Sequence, residues 1–506
     1  MFYKFFWRYN KERGKRVQGA DFLIGSSGQS RLVSVAGSCS FSRSTVGLSD
    51  YFCRKTINME DTKREDEGMR LLCEARESWE RLAPVRTKRE RNKNFTYGSQ
   101  WGDSVADEKG MRVSEYDLQK RSGKEPLTNN LIRQLVKSVV GRFRQRLDSV
   151  RIAEALSGNR VKELDSRLME EFLISGCCFQ RVDFGEGRMA VRLDNVSPDR
   201  IFLNFTDDPR GWDCDLIGQL HDMTLAEIVG RFGDGNREKA LELCGFYRQG
   251  GLLESEGCFG HSPRRGRVRV VELWRKESRE GYDCHDLRSG RWYFRAGIDH
   301  EEREWEERSW RIEAVWRCYW LTPAGDIISQ YDSPYGHRSH PFAYRLYPLV
   351  GGEIHSLVED VIDQQKYVNR LITLVDHVMS ASAKGVLLYP DTILPDGFTW
   401  DDLRYAWSKP NSIVPYHPQG SGDHPQQISV NATDIGAYEM VNLQMRLFEQ
   451  ISGVSGALQG RPADASTGVR LYESQIANST VALSDIFESF DAFRQDRDEK
   501  GTHMSC

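Results

Sequence analysis

Four aspartates lie within one short stretch, "NFTDDPRGWDCD" at residues 204–215, and these side chains are the first candidates for chemistry. Asp207, Asp208, Asp213 and Asp215 supply carboxylate oxygens, the ligand type that Mg²⁺ prefers in proteins. A Mg²⁺-dependent nuclease or hydrolase is therefore one function to weigh. Asp, Pro and Gly together are also typical of an exposed turn. The turn is the favoured interpretation, and the enzyme stays the alternative.

A glycine-rich stretch, "ISGVSGALQGRPADASTG" at residues 451–468, is the second candidate, because such loops can hold phosphates. A P-loop needs a strand before it and Gly-Lys-Ser/Thr at its end. Here Arg461 and Pro462 follow Gly460, and the preceding segment has a helical pattern. The dinucleotide fingerprint is also missing. The sequence therefore disfavours nucleotide binding.

Motifs for nucleophilic or metal chemistry are missing from the sequence. It contains no G-x-S-x-G and no H-E-x-x-H, and its cysteines form no C-x-x-C. His221, His355 and His377 have no partners at ligand spacing, and the adjacent Cys177 and Cys178 are predicted to be buried small residues. We therefore predict a protein that is not an enzyme, without a metal or cofactor.

Basic residues occur only in local clusters, since the formal net charge is −4. The clusters are "RTKRERNK" at 86–93, "RRGRVR" at 264–269, and the helical face of Arg133, Lys137 and Arg144. They belong to no module that reads bases, so any contact with DNA is expected to be independent of sequence. No apolar run approaches the roughly 20 residues that cross a bilayer. A membrane is therefore not an expected partner.

The elements that would position these residues begin at Met59. Residues 1–58 are basic and rich in Ser and Gly, which indicates either a flexible arm or a start codon placed too early. A helix follows with Met69, Leu72, Ala75, Trp79 and Leu82 on one face, ended by Pro84, and then a cationic connector at 85–103. Two further helices are predicted, one with an apolar stripe from Ile132 to Phe143 and one from Val161 to Phe172.

Between residues 175 and 340 the hydrophobic period changes from helical to strand-like. "CCFQRVDFGEGRMAVRLDNV" predicts a hairpin, and strands recur in "RVRVVELWRKE", "GRWYFRAG" and "RIEAVWRCYWLTPAGDIISQ" with a turn at Pro323–Gly325. A short helix near "TLAEIVGRFG" interrupts them. This region is predicted to be antiparallel α+β rather than βαβ.

The last third of the chain is organised around long helices. A helix is predicted over 353–383 and a second over 437–451, with a compact insert rich in Pro, Gly and Asp between them at 384–435. The glycine-rich loop comes next, and a final helix is predicted over 469–494. Two long helices that bracket a compact insert are the most distinctive feature of the sequence.

Several strings in this order resemble the bacteriophage portal protein family, the head-to-tail connectors of tailed phages, and most closely those of short-tailed phages. The resemblance runs from about residue 59 to 496. It is carried by "RNKNFTYGSQWGD", "PLTNNLIRQLVKSVVGRFR", "CCFQRVDF", "NVSPDRIFLN", "DLIGQLHDMTLAEIVGRFG", "HPFAYRLYPLVGGEIHSLVEDVIDQQKYVNRLITLV" and "ISGVSGALQGRPADASTGVRLYESQ".

The resemblance implies an α+β, portal-like subunit with a mixed helical and antiparallel-β wing, long stem helices and a small α/β clip. It implies a structural subunit of a dodecameric ring at one capsid vertex, through which double-stranded DNA is packaged and ejected. By position, the expected parts are the N-terminal extension 1–58, wing 59–352, first stem helix 353–383, clip 384–435, second stem helix 436–451, tunnel loop 452–468, and wing helix with C-terminus 469–506.

Site residues and partners follow from the same resemblance. The loop residues expected to face a DNA channel are Gly453, Gly456, Gln459, Gly460, Arg461, Ser466 and Gly468. The expected polar positions toward the lumen of the stem are Gln364, Gln365, Asn369 and Thr373. The implied partners are other copies of the chain, double-stranded DNA, terminase, scaffold and major capsid proteins, and head-completion or tail adaptor proteins.

The implied location is the virion, at the capsid vertex, after assembly in the bacterial host cytoplasm. Portals of this type usually continue well past the final helix, so an end at Cys506 is expected for a truncated gene, a prophage remnant or a short variant. A nonviral adaptor built from the long helices is a third possible function.

Overall fold

The computed structural model divides the chain into two units, Met1–Asn58 and Met59–Cys506. It describes residues 59–107, 109–147, 156, 158–185, 190–204, 206–249, 259–260, 262–297, 305–384, 386–389, 394, 397–408, 425–428, 436–456, 478 and 481–505. All of them belong to the second unit. Within these residues the fold mixes helices with antiparallel sheets, which confirms the predicted α+β class.

Two consecutive helices, α1 (Met59–Arg81) and α2 (Ala83–Tyr97), open the unit. Pro84 ends the first helix as predicted, but it also stands in the first turn of the second, where its missing N–H costs nothing. The prediction of a connector at 85–103 is therefore wrong for most of its length. Leu71, rather than Met69, is buried with Leu72, since Met69 is 48% exposed.

Three more helices follow: α3 (Glu115–Arg121), α4 (Leu131–Leu147) and α5 (Val161–Ser175). A two-stranded ribbon of β1 (Ser104–Ala106) and β2 (Arg112–Ser114) precedes α3. The whole predicted stripe of α4 is buried, which confirms the sequence pattern. Its members are Ile132, Leu135, Val136, Val139, Val140 and Phe143.

The sheets are antiparallel throughout the described residues, as predicted. One sheet has three strands in the order β11-β3-β4, formed by β3 (Cys177–Phe184), β4 (Val191–Val196) and β11 (Phe342–Leu346). The other has the order β10-β9-β7-β6-β5, with β8 paired to β7. Its strands are β5 (Ile201–Leu203), β6 (Leu216–Met223), β7 (Val268–Asp286), β8 (Trp292–Ala296), β9 (Glu306–Leu321) and β10 (Ile327–Asp332).

The remaining helices and strands complete the description. They are α6 (Leu225–Phe232), α7 (Arg237–Gln249), β12 (Pro348–Val350), β13 (Glu353–Ile354), α8 (Leu357–Lys384), β14 (Val386–Leu388), α9 (Trp400–Ser408), β15 (Gln426–Ile428), α10 (Ala437–Ser452) and α11 (Ser484–Ser505). The predicted helix near "TLAEIVGRFG" is confirmed as α6, which starts at a capping box between Thr224 and Glu227.

The strands β7 and β9 extend well beyond the core and form an arm with β8. Near its base β7 is buried, with Trp274 fully enclosed, whereas Trp310 and Ile312 on the distal half of β9 are 55% and 52% exposed. Arginines and carboxylates alternate along the arm and pair with each other, for example Arg311 with Asp283 at 3.1 Å. The arm therefore exposes aromatic side chains among neutralised charges.

The core lies where α4, α5 and α11 meet the three-stranded sheet. Phe490 of α11 is central: its ring is 5.1 Å from that of Phe143 on α4 and 5.7 Å from that of Phe172 on α5. Phe487 and Phe493 are also fully buried. Aromatic pairs of this kind stabilise a core beyond the effect of the area they bury.

The last helix α11 differs from its prediction. The predicted helix over 469–494 ends too early, because α11 continues to Ser505 and its second half is held by buried charges. Asp165 of α5 accepts hydrogen bonds from Arg497 at 2.5 Å and from Arg494 at 3.1 Å. Asp165 and Arg497 are 0% and 1% exposed. The charged run "RQDRDEK" is thus partly an internal contact surface.

We predict that Asp165→Asn lowers the free energy of unfolding by about 3–5 kcal/mol, because the buried guanidinium of Arg497 then keeps only the partly exposed Asp498 as a countercharge. Urea unfolding followed by tryptophan fluorescence measures this loss. Glu163→Gln is the control, since Glu163 pairs with Arg167 at the surface and is expected to cost less than about 1 kcal/mol. Equal losses in the two variants would contradict the assignment.

Two histidines lie beneath the end of α11. Lys500 donates a hydrogen bond to the carbonyl oxygen of His340 at 2.8 Å, and the His340 ring meets Trp316 edge to face. Burial, and next the charge of Lys500, hold the pKa of His340 well below its usual range. The same two causes lower the pKa of His337 to about 3. Both rings are therefore neutral in the fold at pH 7.

We predict that stability falls as the pH drops from about 6.5 toward 5. The unfolded chain takes up protons near pH 6.5 that folded His340 and His337 do not bind, so each of the two rings costs about 1.4 kcal/mol per pH unit below this value. His340→Asn keeps an acceptor for the Phe342 amide but cannot titrate, and its stability should depend less on pH in this window. Urea unfolding at several pH values measures the slope. A slope equal to that of the unmodified chain would contradict the prediction, with His377→Asn as the control.

Candidate functional site: the paired long helices

The helices α8 and α10 pack along each other and form the most extended helical feature of the described residues. The helix predicted over 353–383 is confirmed from Leu357 onward, whereas Glu353–Ile354 forms β13 instead. With 28 residues, α8 is about 42 Å long. Its first turn carries Glu359 and Asp360, which suits the positive end of the helix dipole. The helix predicted over 437–451 is confirmed as α10.

The first half of α8 is part of the interior of the subunit. Four of its apolar side chains are at most 1% exposed, namely Val358, Val361, Ile362 and Val368, and the first three belong to the main core. Besides α10, the helices that pack against α8 are α2, α4 and α5, which belong to the preceding part of the chain. This half of α8 is therefore fixed to the body that precedes it in the chain.

The polar residues predicted to face a stem lumen lie on this same buried half. Gln365, Asn369 and Thr373 are 0–1% exposed and bind the backbone of residues 127–132 within the subunit. A side chain in such a position serves the subunit's own packing and does not reach a channel. Gln364 is half-buried, so it alone among the four stays a candidate for a channel surface.

Several other apolar side chains of α8 and α10, most of them in the second half of α8 and along α10, are exposed. The exposed fractions are 42–77%, for Tyr367, Leu374 and Met379 on α8 and Tyr438, Met440, Leu443 and Ile451 on α10. We call these seven side chains the exposed apolar surface. Large apolar side chains exposed on two packed helices are a candidate interaction site.

The glycine-rich loop begins at a well-defined helix end. Gly453 adopts φ 66°, the left-handed conformation that ends many helices, and a Cβ there would lie 2.8 Å from that of Ala482. Val454 is fully buried and Gly456 is half-buried. The remaining predicted loop residues lie outside the described part of the chain: Gln459, Gly460, Arg461, Ser466 and Gly468.

The insert between the two long helices has a small structure of its own. β14 and β15 pair antiparallel, with Val386 opposite Ile428, and α9 lies between them in the chain. Thr399 and Asp402 cap α9 reciprocally, each accepting a hydrogen bond from the other's backbone amide. The strand predicted in "GVLLYP" is confirmed, α9 was not predicted, and "NSIVPYHP" lies outside the described residues.

The aspartate cluster is a closed turn. Asp213 accepts hydrogen bonds from the Thr206 hydroxyl at 2.5 Å and from the amides of Asp207 and Asp208 at 2.7 and 3.1 Å. Desolvation pushes the pKa of Asp213 upward, but these hydrogen bonds hold it below its usual range. Asp208 in turn pairs with Arg210 at 3.0 Å. The carboxylates organise their own loop, as the favoured interpretation predicts.

No group of three or more His, Cys, Asp or Glu side chains is placed to hold a metal ion among the described residues. The alternative of a Mg²⁺-dependent nuclease or hydrolase at Asp207–Asp215 therefore has no support. Cys177 and Cys178 are fully buried, as predicted. Burial raises the pKa of the Cys177 thiol to about 12, so it is protonated and a poor nucleophile.

Several cations of the basic clusters form ion pairs with carboxylates of the same subunit. In the segment 86–93, Arg89 is buried between Glu171 at 2.5 Å and Asp199 at 2.6 Å, and Arg91 pairs with Asp103 at 2.9 Å. In the other clusters, Arg133 pairs with Glu170, Arg267 with Glu227 and Arg269 with Asp222. Lys137 and Arg144 are exposed. Fewer cations are therefore available to bind phosphates than the sequence alone predicts.

One buried cluster was missed by the sequence analysis. Glu272 of β7 accepts hydrogen bonds from Arg181 and from Trp274, and it contacts the His221 ring at 2.7 Å. Desolvation would raise the pKa of Glu272, but the nearby charge of Arg181 outweighs it and holds that pKa well below its usual range. The sequence signal for this cluster was Glu272, the single charged residue in the apolar run "VVELW".

Comparison with known proteins supplies the context of these elements. Residues 156–500, about two thirds of the chain, match the family model described as "Phage P22-like portal protein". No curated protein matches the chain. In the part of the chain that is described, no helix has both the length and the hydrophobicity to cross a bilayer. The match covers α5, both sheets, the α8–α10 pair and most of α11. This chain therefore belongs to the P22-like family of phage portal proteins, the head-to-tail connectors of short-tailed phages that act in DNA packaging.

Proposed function

We propose that this chain is the subunit of a portal ring at one capsid vertex, through which double-stranded DNA is packaged and ejected. The observation that carries the proposal is the exposed apolar surface on α8 and α10 in a chain of the portal family. The dodecameric state is taken from the family resemblance. The subunit is proposed to be structural rather than catalytic, in line with the family.

The arrangement of the two helices supports ring closure. A cyclic ring needs a heterologous interface, in which one side of a subunit meets a different side of the next. The pair α8–α10 offers apolar side chains on two helices, so Leu374 and Leu443 can face different neighbours. Burial of such surface stabilises an assembly by about 25 cal/mol per Å² of apolar area. The subunit's own core does not cover this surface.

The charge distribution supports passage of DNA without tight binding. The formal net charge is −4, and half of the twelve cations of the basic clusters form ion pairs within the subunit. We propose that the glycine-rich loop 452–468 projects toward the channel with Arg461 as its one cation, and that DNA slides past it.

The remaining assignments are proposed by position in the family. Residues 59–352 and the final helix would form the wing, the α8–α10 pair the stem, and 384–435 the clip. The proposed partners are terminase, scaffold and major capsid proteins, and head-completion or tail adaptor proteins. The subunit would assemble in the cytoplasm of the bacterial host and act at the capsid vertex of the virion.

We predict that Leu443→Glu prevents ring formation, because it would bury a carboxylate in every subunit interface of the ring. Size-exclusion chromatography with light scattering should show a shift from a large oligomer to a monomer. Leu241→Glu is the control, since Leu241 on α7 is also exposed, at 59%, but lies outside the α8–α10 pair. A ring that survives Leu443→Glu would contradict the proposed interface.

We also predict that Arg461→Ala leaves the ring intact and reduces DNA packaging or retention, because it removes the loop's only cation. Light scattering reports the ring, and nuclease-protected DNA per particle reports packaging. Loss of the ring itself would instead place the loop at the subunit interface. Ser466→Ala is a matched control within the same loop, and its packaging should resemble that of the unmodified chain.

A further inference from the structure

A ladder of side-chain-to-backbone hydrogen bonds joins α8 to the segment that leads into α4. The Thr373 hydroxyl accepts from the Leu127 amide at 3.0 Å, and Asn369 accepts from the Asn129 amide at 3.0 Å. One turn further, Gln365 donates to the Asn129 carbonyl oxygen at 2.7 Å and accepts from the amide of residue 131. We call these three side chains, with residues 127–132, the polar ladder.

The spacing of the polar ladder fits one register. Its rungs on α8 are four residues apart, which is about 6 Å of helix. On the facing segment they are two residues apart, about 6.6 Å of extended chain. The segment runs opposite to α8, and the side chains of Leu127 and Asn129 point to solvent. An axial shift of α8 by a fraction of a turn would therefore separate every rung.

Gln365 also completes the N-terminus of α4. The first amides of a helix have no partner within that helix. Gln365 accepts from the amides of Leu131 at 2.8 Å and Ile132 at 3.2 Å, and Asn130 accepts from the next one, Arg133, at 2.9 Å. One helix therefore supplies the cap of another. Gln365 is fully buried, so water cannot take its place at these amides.

Neighbouring contacts confine the same stretch of α8. Lys366 pairs with Asp103 at 2.7 Å, and Arg370 pairs with the buried Glu115 at 2.5 Å. Asn369 donates to the Gln100 side chain at 2.6 Å. Beyond Thr373 the burial of α8 ends and Leu374 is 42% exposed. The boundary between the fixed and the exposed half of α8 thus coincides with the last rung.

We propose that the polar ladder couples the conformations of two elements. The first half of α8 and the start of α4 move as one body, so a displacement of α8 removes the hydrogen bonds that cap α4. The coupling is a property of the single subunit and does not require the ring. Its use in a ring, where neighbours would act on the exposed half of α8, rests on the proposed function. Two elements joined in this way influence each other reciprocally.

Hydrogen exchange of the full chain, followed by mass spectrometry, tests the coupling. Asn369→Leu keeps the size of the side chain and removes the central rung, so the amides of 127–132 should exchange at least about tenfold faster. Gln364→Leu, on the adjacent half-buried position, is the matched control and should leave them unchanged. Exchange within twofold of the unmodified chain in Asn369→Leu would overturn the proposal.

A second variant guards against loss of folding. Thr373→Val keeps the shape of the side chain and removes only the acceptor of the Leu127 amide, so the faster exchange should be confined to that amide. The β3–β4 hairpin serves as the internal reference, because its exchange should not change in either variant. Unchanged exchange at Leu127 in a folded Thr373→Val chain would also overturn the proposal.

An effect of α4 on α8, in addition to the effect of α8 on α4, distinguishes a coupling from a static contact. Asn130→Ala removes α4's own cap at Arg133 and leaves the α8 side chains in place. The coupling predicts faster exchange along Gln365–Thr373 of α8 as well, by about threefold or more, because the loosened segment no longer holds the rungs. A static contact would speed exchange at α4 alone, and that result would overturn the proposal. Neither outcome depends on whether the chain forms rings.

Discussion

Apolar side chains cover α8 along its whole length, but the subunit buries them only along the first half. Val358, Val361 and Val368 are fully buried, whereas Leu374 and Met379 are 42% and 64% exposed. The hydrophobic effect stabilises the first half within the subunit, whereas the exposed apolar side chains of the second half are a candidate interaction site. The rest of the subunit is arranged around this division. The core and the polar ladder fix the first half of α8, and α10 packs along α8.

The core that fixes α8 is assembled from distant parts of the chain. Phe143, Phe172 and Phe490 come from three helices, and the Asp165–Arg497 pair ties the last helix to α5. A buried ion pair of this kind contributes less to net stability than to the choice of one arrangement, since a misplaced helix would leave a charge uncompensated.

Periodicity was enough to predict the main elements, because α4 and the first half of α8 bury the apolar side chains that their patterns indicate. Gln365, Asn369 and Thr373 show where it fails. A polar stripe at every fourth residue has the same appearance whether it faces water or an extended backbone, and only the tertiary contact with residues 127–132 distinguishes them. The basic segment 86–93 failed for a related reason: its cations are paired with Glu171, Asp199 and Asp103, which are far away in sequence. Long-range charge pairing leaves no local signal.

The central claim is that the exposed apolar surface of α8 and α10 closes a ring of identical subunits. Single-particle electron cryomicroscopy of the assembled protein tests it most directly. The account predicts a closed ring in which Leu374, Leu443 and Ile451 are buried between adjacent subunits. A ring in which these side chains face solvent, or a protein that stays monomeric under assembling conditions, would contradict the account.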